Sequence, residues 1–262
     1  MQRKPSENAK SLRLSDGSML KIEQHKSLES TAQLARSYAE AGYPNKYVVF
    51  SETVTAPTAL RGSGNDASHG IFMSCVLRPS FFPSQAGLLA PLSAVAMLTA
   101  LEEHTEKELG IGWLSDVFCE GKRIANVSIE GKLDSFASYE YLIVTFSVLL
   151  DDKSFPPRLG DMIKKVFETG NDSISIIIAK TILHKFFTVY AGLKSPAKHM
   201  DTYARRFILV DKRIKYIKDG KKHRCRVVGV NKQTGALNVD IGKGELMQIN
   251  SPSGVIIPNR IK

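Results

Sequence analysis

The stretch GWLSDVFCEGKRIANVSIEG, from Gly112 to Gly131, holds the chain's single tryptophan, Trp113, together with an acid, Asp116, and two adjacent cations, Lys122 and Arg123. An acid and cations gathered on one hairpin can hold an anion, or balance charge that develops on one during a reaction. Apolar runs on both sides of EGKR predict two strands joined by a turn. Other chemistry is sparse. His69, His104, His184 and His199 have no nucleophile, acid or ligand at a recognisable spacing, so they form no catalytic or metal set. Cys75, Cys119 and Cys225 are far apart and lack a CxxC, which gives neither a disulfide framework nor a zinc site and fits a reducing environment. GSGND, Gly62 to Asp66, lacks the strand-to-helix transition of a phosphate loop, and GKGE, Gly242 to Glu245, reads as a turn.

The elements that must position the hairpin follow from local pattern. SLESTAQLARSYAEAGYP predicts a helix capped by Ser30 or Thr31, with Leu34, Ala35, Tyr38 and Ala39 on one face and Gly42 and Pro44 as its stop. A strand, MLKIEQ, precedes it, and strands KYVVFSE and GIFMSCVLRP follow, separated by a long loop. Residues Gln85 to Gly110 predict one long helix with Pro91 near its first turn and Gly110 as its end. SYEYLIVTFSVLL predicts a strand buried on both faces. Helices are expected over PPRLGDMIKKVFETG, DSISIIIAKTILHKFFTVYAGL and SPAKHMDTYARRFI. From about Val210 the pattern changes to short strands between KDGKK, NKQTG, IGKG and NSPSG, which predicts a small barrel.

Composition sets wider bounds. A chain of 262 residues with 43% hydrophobic content can bury one large core and a small second one. The net charge of +10 calls for an anionic partner, whether nucleotide phosphates, nucleic acid or an acidic protein. Its densest run, DKRIKYIKDGKKHRCR, alternates cations with apolar residues and reads as the solvated face of a strand hairpin. The first 18 residues carry no apolar signal core, and no run of about 18 uninterrupted apolar residues occurs, so neither secretion nor a membrane span is expected.

Taken in order, SLESTAQLA, the strand and loop before HGIFMSCVLRP, the long helix, the Trp113 hairpin, the next strand and the terminal β segment resemble biotin–protein ligase of the biotin/lipoate protein ligase family, over about residues 20 to 260. The C-terminal stretch from Arg224, with its GALNV strand, is similar to that family's SH3-like module. The resemblance implies an α/β (α+β) fold: a ligase-like domain over 18–208 with a mixed sheet flanked by helices and a C-terminal SH3-like β barrel over 209–262; the polar composition before it predicts a flexible tail over 1–17.

It also implies a reaction. Biotin and ATP, with Mg²⁺, would form biotinyl adenylate, and a lysine of a carboxylase's biotin-carrier domain would take the acyl group. A homodimer and a cytoplasmic location are carried with it, without nucleic acid, membrane or a tightly bound metal. Ser30 and Thr31 match the family's helix start and are implied substrate contacts, as are Glu52, Ser115 and Asn126. Arg61 is the last residue of TAPTALR, which stands where the family has a glycine–arginine loop. Trp113 and Asp116 match the family's KWPND turn, with Gly112 in place of its lysine and Asp116 as an implied Mg²⁺ ligand. Arg123 stands at the position of a biotin-contacting lysine, and Lys122, one residue away, would face the other side. With Arg61, Arg123 is the implied catalytic cation. Ser63 replaces an adenine-stacking tryptophan. VTFSVL, Val144 to Leu149, follows the family's GAGINM strand, which places Phe146 at a glycine and Val148 at an asparagine and predicts a filled pocket. These exchanges leave three readings: an active ligase, a ligase for another acyl group such as lipoate, and a noncatalytic binding or regulatory module.

Overall fold

The computed structural model describes residues 9–56, 68–149, 174–218, 220–242, 244–257 and 261. An eight-stranded mixed sheet forms the larger part, in the order β1-β2-β3-β4-β8-β7-β6-β5. Its strands are β1 (Lys10–Arg13), β2 (Met19–His25), β3 (Tyr47–Val54), β4 (Ser68–Leu77), β5 (Leu109–Ile111), β6 (Asp116–Cys119), β7 (Lys122–Leu133) and β8 (Tyr139–Leu149). Among these described strands, β2 and β3 are the one pair that runs parallel. Helix α1 (Thr31–Glu40) makes that crossover and lies on one face of the sheet. Helices α2 (Leu89–Glu102) and α3 (Ile174–Ala191) pack together over the opposite face, and α4 (Ala197–Arg205) packs on α2.

The strand pattern explains the two layers. In β8 every residue from Tyr141 to Val148 is buried, because alternate side chains enter alternate layers. Val144, Phe146 and Val148 join the core beneath α2 and α3, whereas Tyr141 and Ile143 pack with Ala35 and Ala39 of α1. The helix layer is apolar all round: eleven of the fourteen residues of α2 are buried. The stretches Gln85–Glu102 and Ile174–Ala191 are apolar and long enough to cross a membrane, but 61% and 56% of them are buried inside the fold, so their apolar faces already have partners.

Two expectations from sequence shift. The polar segment before residue 17 contains β1, which pairs along β2 from Lys10↔Ile22 to Arg13↔Met19, with Leu14 buried behind it. The long helix stops at Glu102, after a 3-10 turn at Pro83–Leu88 and α2, and Gly110 lies in β5. Acids at Glu102, Glu103, Glu106 and Glu108 oppose a helix C-terminus, whose carbonyls favour cations. Gly110 is a packing residue: a Cβ there would run into the Ile208 side chain. The helix expected over PPRLGDMIKKVFETG lies outside the described residues.

The C-terminal part is a five-stranded antiparallel sheet, in the order β12-β11-β10-β9-β13. It comprises β9 (Arg213–Lys218), β10 (Lys221–Val230), β11 (Leu237–Asp240), β12 (Leu246–Ile249) and β13 (Val255–Ile256). Its inner residues Ile214, Tyr216, Cys225, Val227, Leu237 and Val239 belong to the same continuous core as α2, α3 and the large sheet. The two sheets therefore share one apolar interior.

Candidate functional site

The hairpin forms as its pattern predicts. Glu120 and Gly121 occupy the turn with φ of 50° and 75°, the left-handed pair that suits a two-residue connection between twisted strands. Its decisive feature is a bulge. Asp116 pairs with Asn126 and Val117 with Ala125, but Phe118 pairs with Arg123, so Ile124 is the extra residue. In an unbroken strand, residues 123 and 126 would face opposite sides; the bulge returns Arg123 to the face of Asp116 and Asn126. The Arg123 guanidinium then donates to the Asp116 carboxylate at 3.3 Å, and both side chains are largely covered. Burial pushes the Asp116 carboxyl above its ordinary range, an effect that Arg123 only partly offsets.

These residues open into a cleft of about 470 Å³ lined by Trp113 to Asp116, Arg123 and Asn126 on one side and by Pro252, Val255, Ile256 and Ile257 on the other. The Oδ1 atom of Asn126 is buried without a hydrogen-bond partner. An orphaned acceptor at a cleft wall is costly unless something donates to it. The Ser115 hydroxyl donates to the Val127 carbonyl at 2.7 Å, and the Val127 amide donates to the Ser115 carbonyl at 3.1 Å, which pins the turn to β7.

The approach to the hairpin is anchored from a distance. The Trp113 indole N–H donates to the Gly235 carbonyl at 2.8 Å, tying it to the C-terminal sheet, and the Tyr203 hydroxyl donates to the Leu114 carbonyl at 2.9 Å. The Ile261 amide donates to the Gly121 carbonyl at 2.8 Å. No side chain fits at Gly121, because a Cβ would meet the Ile261 carbonyl oxygen. Gly112 is equally constrained: a Cβ there would lie 2.6 Å from the Phe118 ring. The place of the lysine expected from the family pattern is thus occupied by a phenyl group.

The helix start lies on the same face of the sheet. Ser30 caps α1, its hydroxyl accepting from the Gln33 amide at 3.3 Å. Thr31 is buried, and its hydroxyl accepts from Ser74 at 2.9 Å, while Ser74 meets Thr145 at 2.8 Å. Thr145 is followed, roughly 7 Å along the strand, by Ser147, which pairs with Asn126. Thr31, Ser74, Thr145, Ser147 and Asn126 therefore form a row of small polar residues leading from α1 to the hairpin. Ser30, Thr31 and Glu52 do not line the cleft; Glu52 sits in the β3 bulge between Ser51 and Thr53. Arg61 and Ser63 lie outside the described residues.

The register also corrects the expectation of a filled pocket. Phe146 pairs with Val127 and Val148 with Ala125, so both face away from Asn126. Phe146 stacks edge-on against Phe186 of α3, with ring centroids 5.2 Å apart, inside the helix-side core. The β8 residues on the same sheet face as Asn126 are Thr145 and Ser147, which do not themselves line the cleft. Strand alternation could have flagged them, but only with the β7–β8 register known. Tyr203 and residues 252–257 carry no local signal at all, since the fold brings them in from far along the chain. His69, expected to stand alone, meets the Thr53 hydroxyl at 3.0 Å. The three cysteines are free and buried, and burial raises the Cys75 thiol. Among the described residues no group of three or more His, Cys, Asp or Glu could hold a metal.

No profile of a known protein family matches the sequence. The bifunctional ligase/repressor BirA of Bacillus subtilis is 24% identical over 153 residues, covering 57% of this chain and 47% of BirA. The chain spans about half the length of the curated relatives it matches. Among solved structures, a biotin protein ligase variant from Aquifex aeolicus in complex with biotin superimposes with a TM-score of 0.67 at 18% identity, over 90% of this chain and 97% of that one. The same organism's biotin protein ligase in complex with biotin and ATP gives 0.64 at 18% identity, with the same coverage. The chain has the biotin protein ligase fold and is, in that sense, a biotin protein ligase-like protein.

Proposed function

We propose that this chain is an ATP-dependent ligase of the biotin–protein ligase type, which activates a carboxylic acid as its adenylate and passes the acyl group to a lysine of a carrier domain. The observation that carries this reading is the Asp116–Arg123 pair, brought by a bulge to the wall of a cleft on the same sheet face as the α1 N-terminus. The relatives named for biotin and ATP share this fold and support biotin and ATP as substrates.

In the first step the acid's carboxylate oxygen attacks the α-phosphorus of ATP and pyrophosphate leaves. In the second, the lysine amine attacks the acyl carbon, AMP leaves, and the amine loses a proton. Arg123 supplies a fixed cation for the oxygen that carries the negative charge, and Asp116 orients its guanidinium. An arginine's planar fork holds two oxygens where a lysine would hold one point, so the contact is geometric as well as electrostatic. The Asn126 Oδ1 offers a polar contact at the cleft wall, and Ser147 and Thr145 continue the polar row along the same sheet face. Asp116, already paired to a guanidinium, does not fit a separate magnesium site; magnesium enters as the ATP complex.

Calorimetry with biotin, ATP and Mg²⁺, followed by mass spectrometry of a biotin-carrier domain, tests this. Binding heat and a biotinylated lysine are expected. Absence of both overturns the reading for biotin, and the same titration with lipoate addresses a different acyl group. The Phe118 ring against Gly112 favours one second reading, a noncatalytic binding member of the fold. That protein would give ligand heat without pyrophosphate release.

A further inference from the structure

The outer face of the β9–β10 hairpin carries an unusual register. Arg213 lies directly opposite Arg226, Lys215 opposite Arg224, and Ile217 opposite Lys222. These side chains share the face turned away from buried Ile214, Tyr216, Cys225 and Val227. Like charges placed directly opposite each other destabilise a ladder. Arg226 is neutralised by Asp211 at 2.7 Å and Asp240 at 3.1 Å. Arg213, Lys215, Lys222 and Arg224 are exposed and have no ion-pair partner among the described residues. Their spacing is about 7 Å along each strand and about 5 Å across, a compact grid of cations that no ion pair among the described residues balances.

The grid is continuous with the candidate site. On the other side of β9, β13 places Ile256 against Lys215, and Ile256 also lines the cleft beside Asp116 and Arg123. Ile217 and Ile256 are 45% and 40% exposed, so branched aliphatic groups sit among the cations. We infer that this face docks an acidic protein surface which carries the acceptor lysine, holding it so that the lysine enters the cleft past Ile256. The inference rests on the acyl-transfer reading above. A protein partner fits better than nucleic acid, because single-strand binding relies on exposed aromatic rings and the hairpin's aromatic, Tyr216, is buried and stacked on His223. Exposed isoleucines among cations match a surface that presents both carboxylates and apolar groups.

The test compares the full chain with a Lys215→Glu/Arg224→Glu variant. Neither residue touches the cleft, and both are solvent-facing, so the fold is retained; far-UV circular dichroism checks it. Binding of a fluorescently labelled acidic biotin-carrier domain, and of a labelled DNA duplex, is measured by anisotropy at low and high salt. The expected result is salt-sensitive binding of the carrier domain, weakened at least about tenfold in the variant, with biotin affinity unchanged and, in turnover, a raised KM for the carrier at constant kcat. Equal binding by both proteins, or no carrier binding by the wild type, overturns the inference. So does tighter binding of DNA that the variant loses, which would make the face a nucleic-acid surface. Carrier binding that depends on these charges in a protein without biotin or ATP affinity would retain the docking surface and reject the ligase reading.

Discussion

Asp116 and Asn126 face each other across β6 and β7, and each has a polar group that the protein alone does not satisfy well. Because burial raises the Asp116 carboxyl above its unfolded value of 3.8, the folded chain holds that proton more tightly than the unfolded chain does. Its favourable contribution is complete below the unfolded value and is lost as pH rises through the higher folded one. Asp116→Asn should therefore gain stability relative to wild type between about pH 4 and about pH 7. Urea titrations at the two pH values check this, and a gap that stays constant refutes it. For Asn126 the expectation separates folding from binding. Asn126→Ala removes a buried acceptor without a partner, so stability should change by less than about 1 kcal/mol. Ligand affinity measured by calorimetry should fall by about tenfold, the equivalent of one lost hydrogen bond of about 1.4 kcal/mol.

At the level of elements, α1 has one residue with two candidate duties. Ser30 caps the helix and is also an expected substrate contact. Ser30→Ala should cost about 1 kcal/mol of stability, while Ser30→Asp keeps a capping oxygen and restores it. If ligand binding is recovered by Asp along with stability, Ser30 acts as a cap alone; if only stability returns, the hydroxyl meets the ligand. Strand β8 gives a contrasting case. Phe146→Ala should cost about 3–5 kcal/mol, because the ring is buried against Phe186, yet leave ligand affinity unchanged in the folded protein. A gain in affinity would show that the ring closes the site after all. The sequence made α1, the hairpin turn, the doubly buried β8 and the five C-terminal strands legible, since each has a periodicity or turn residue of its own. It hid the bulge at Ile124, because one extra residue leaves no mark on composition. It also hid the end of α2, since an apolar helix and the charged segment after it look continuous until β5 is seen to pair with β6. Which face Phe146 occupies is a register question, and register is decided between strands.

At the scale of the molecule, the site is a joint between two sheets. Trp113 reaches from the β5–β6 connection to Gly235, and residues 252–257 return to wall the cleft. Because the sheets share one core, unfolding should be a single cooperative event. The lone tryptophan reports the joint, and far-UV circular dichroism reports the whole. The two urea transitions should superimpose in wild type, and Trp113→Phe should lower stability by about 1–3 kcal/mol by leaving the Gly235 carbonyl unpartnered. Separated transitions would show that the C-terminal sheet melts independently.

The short β13 has a consequence of another kind. Among the described residues it pairs with β9 at Lys215 and Tyr216 alone, and just beyond them the Gly254 carbonyl accepts from the Ile217 amide. An uncovered border is a template on which a second chain can add, the first step towards aggregation, and lysine and arginine are the residues that deter it. The cations that strain the β9–β10 ladder thus also deter a second chain from adding where the described β9–β13 pairing ends. Replacing them with apolar residues of equal size would relieve the repulsion and expose a sticky seam, visible as light scattering that grows with concentration.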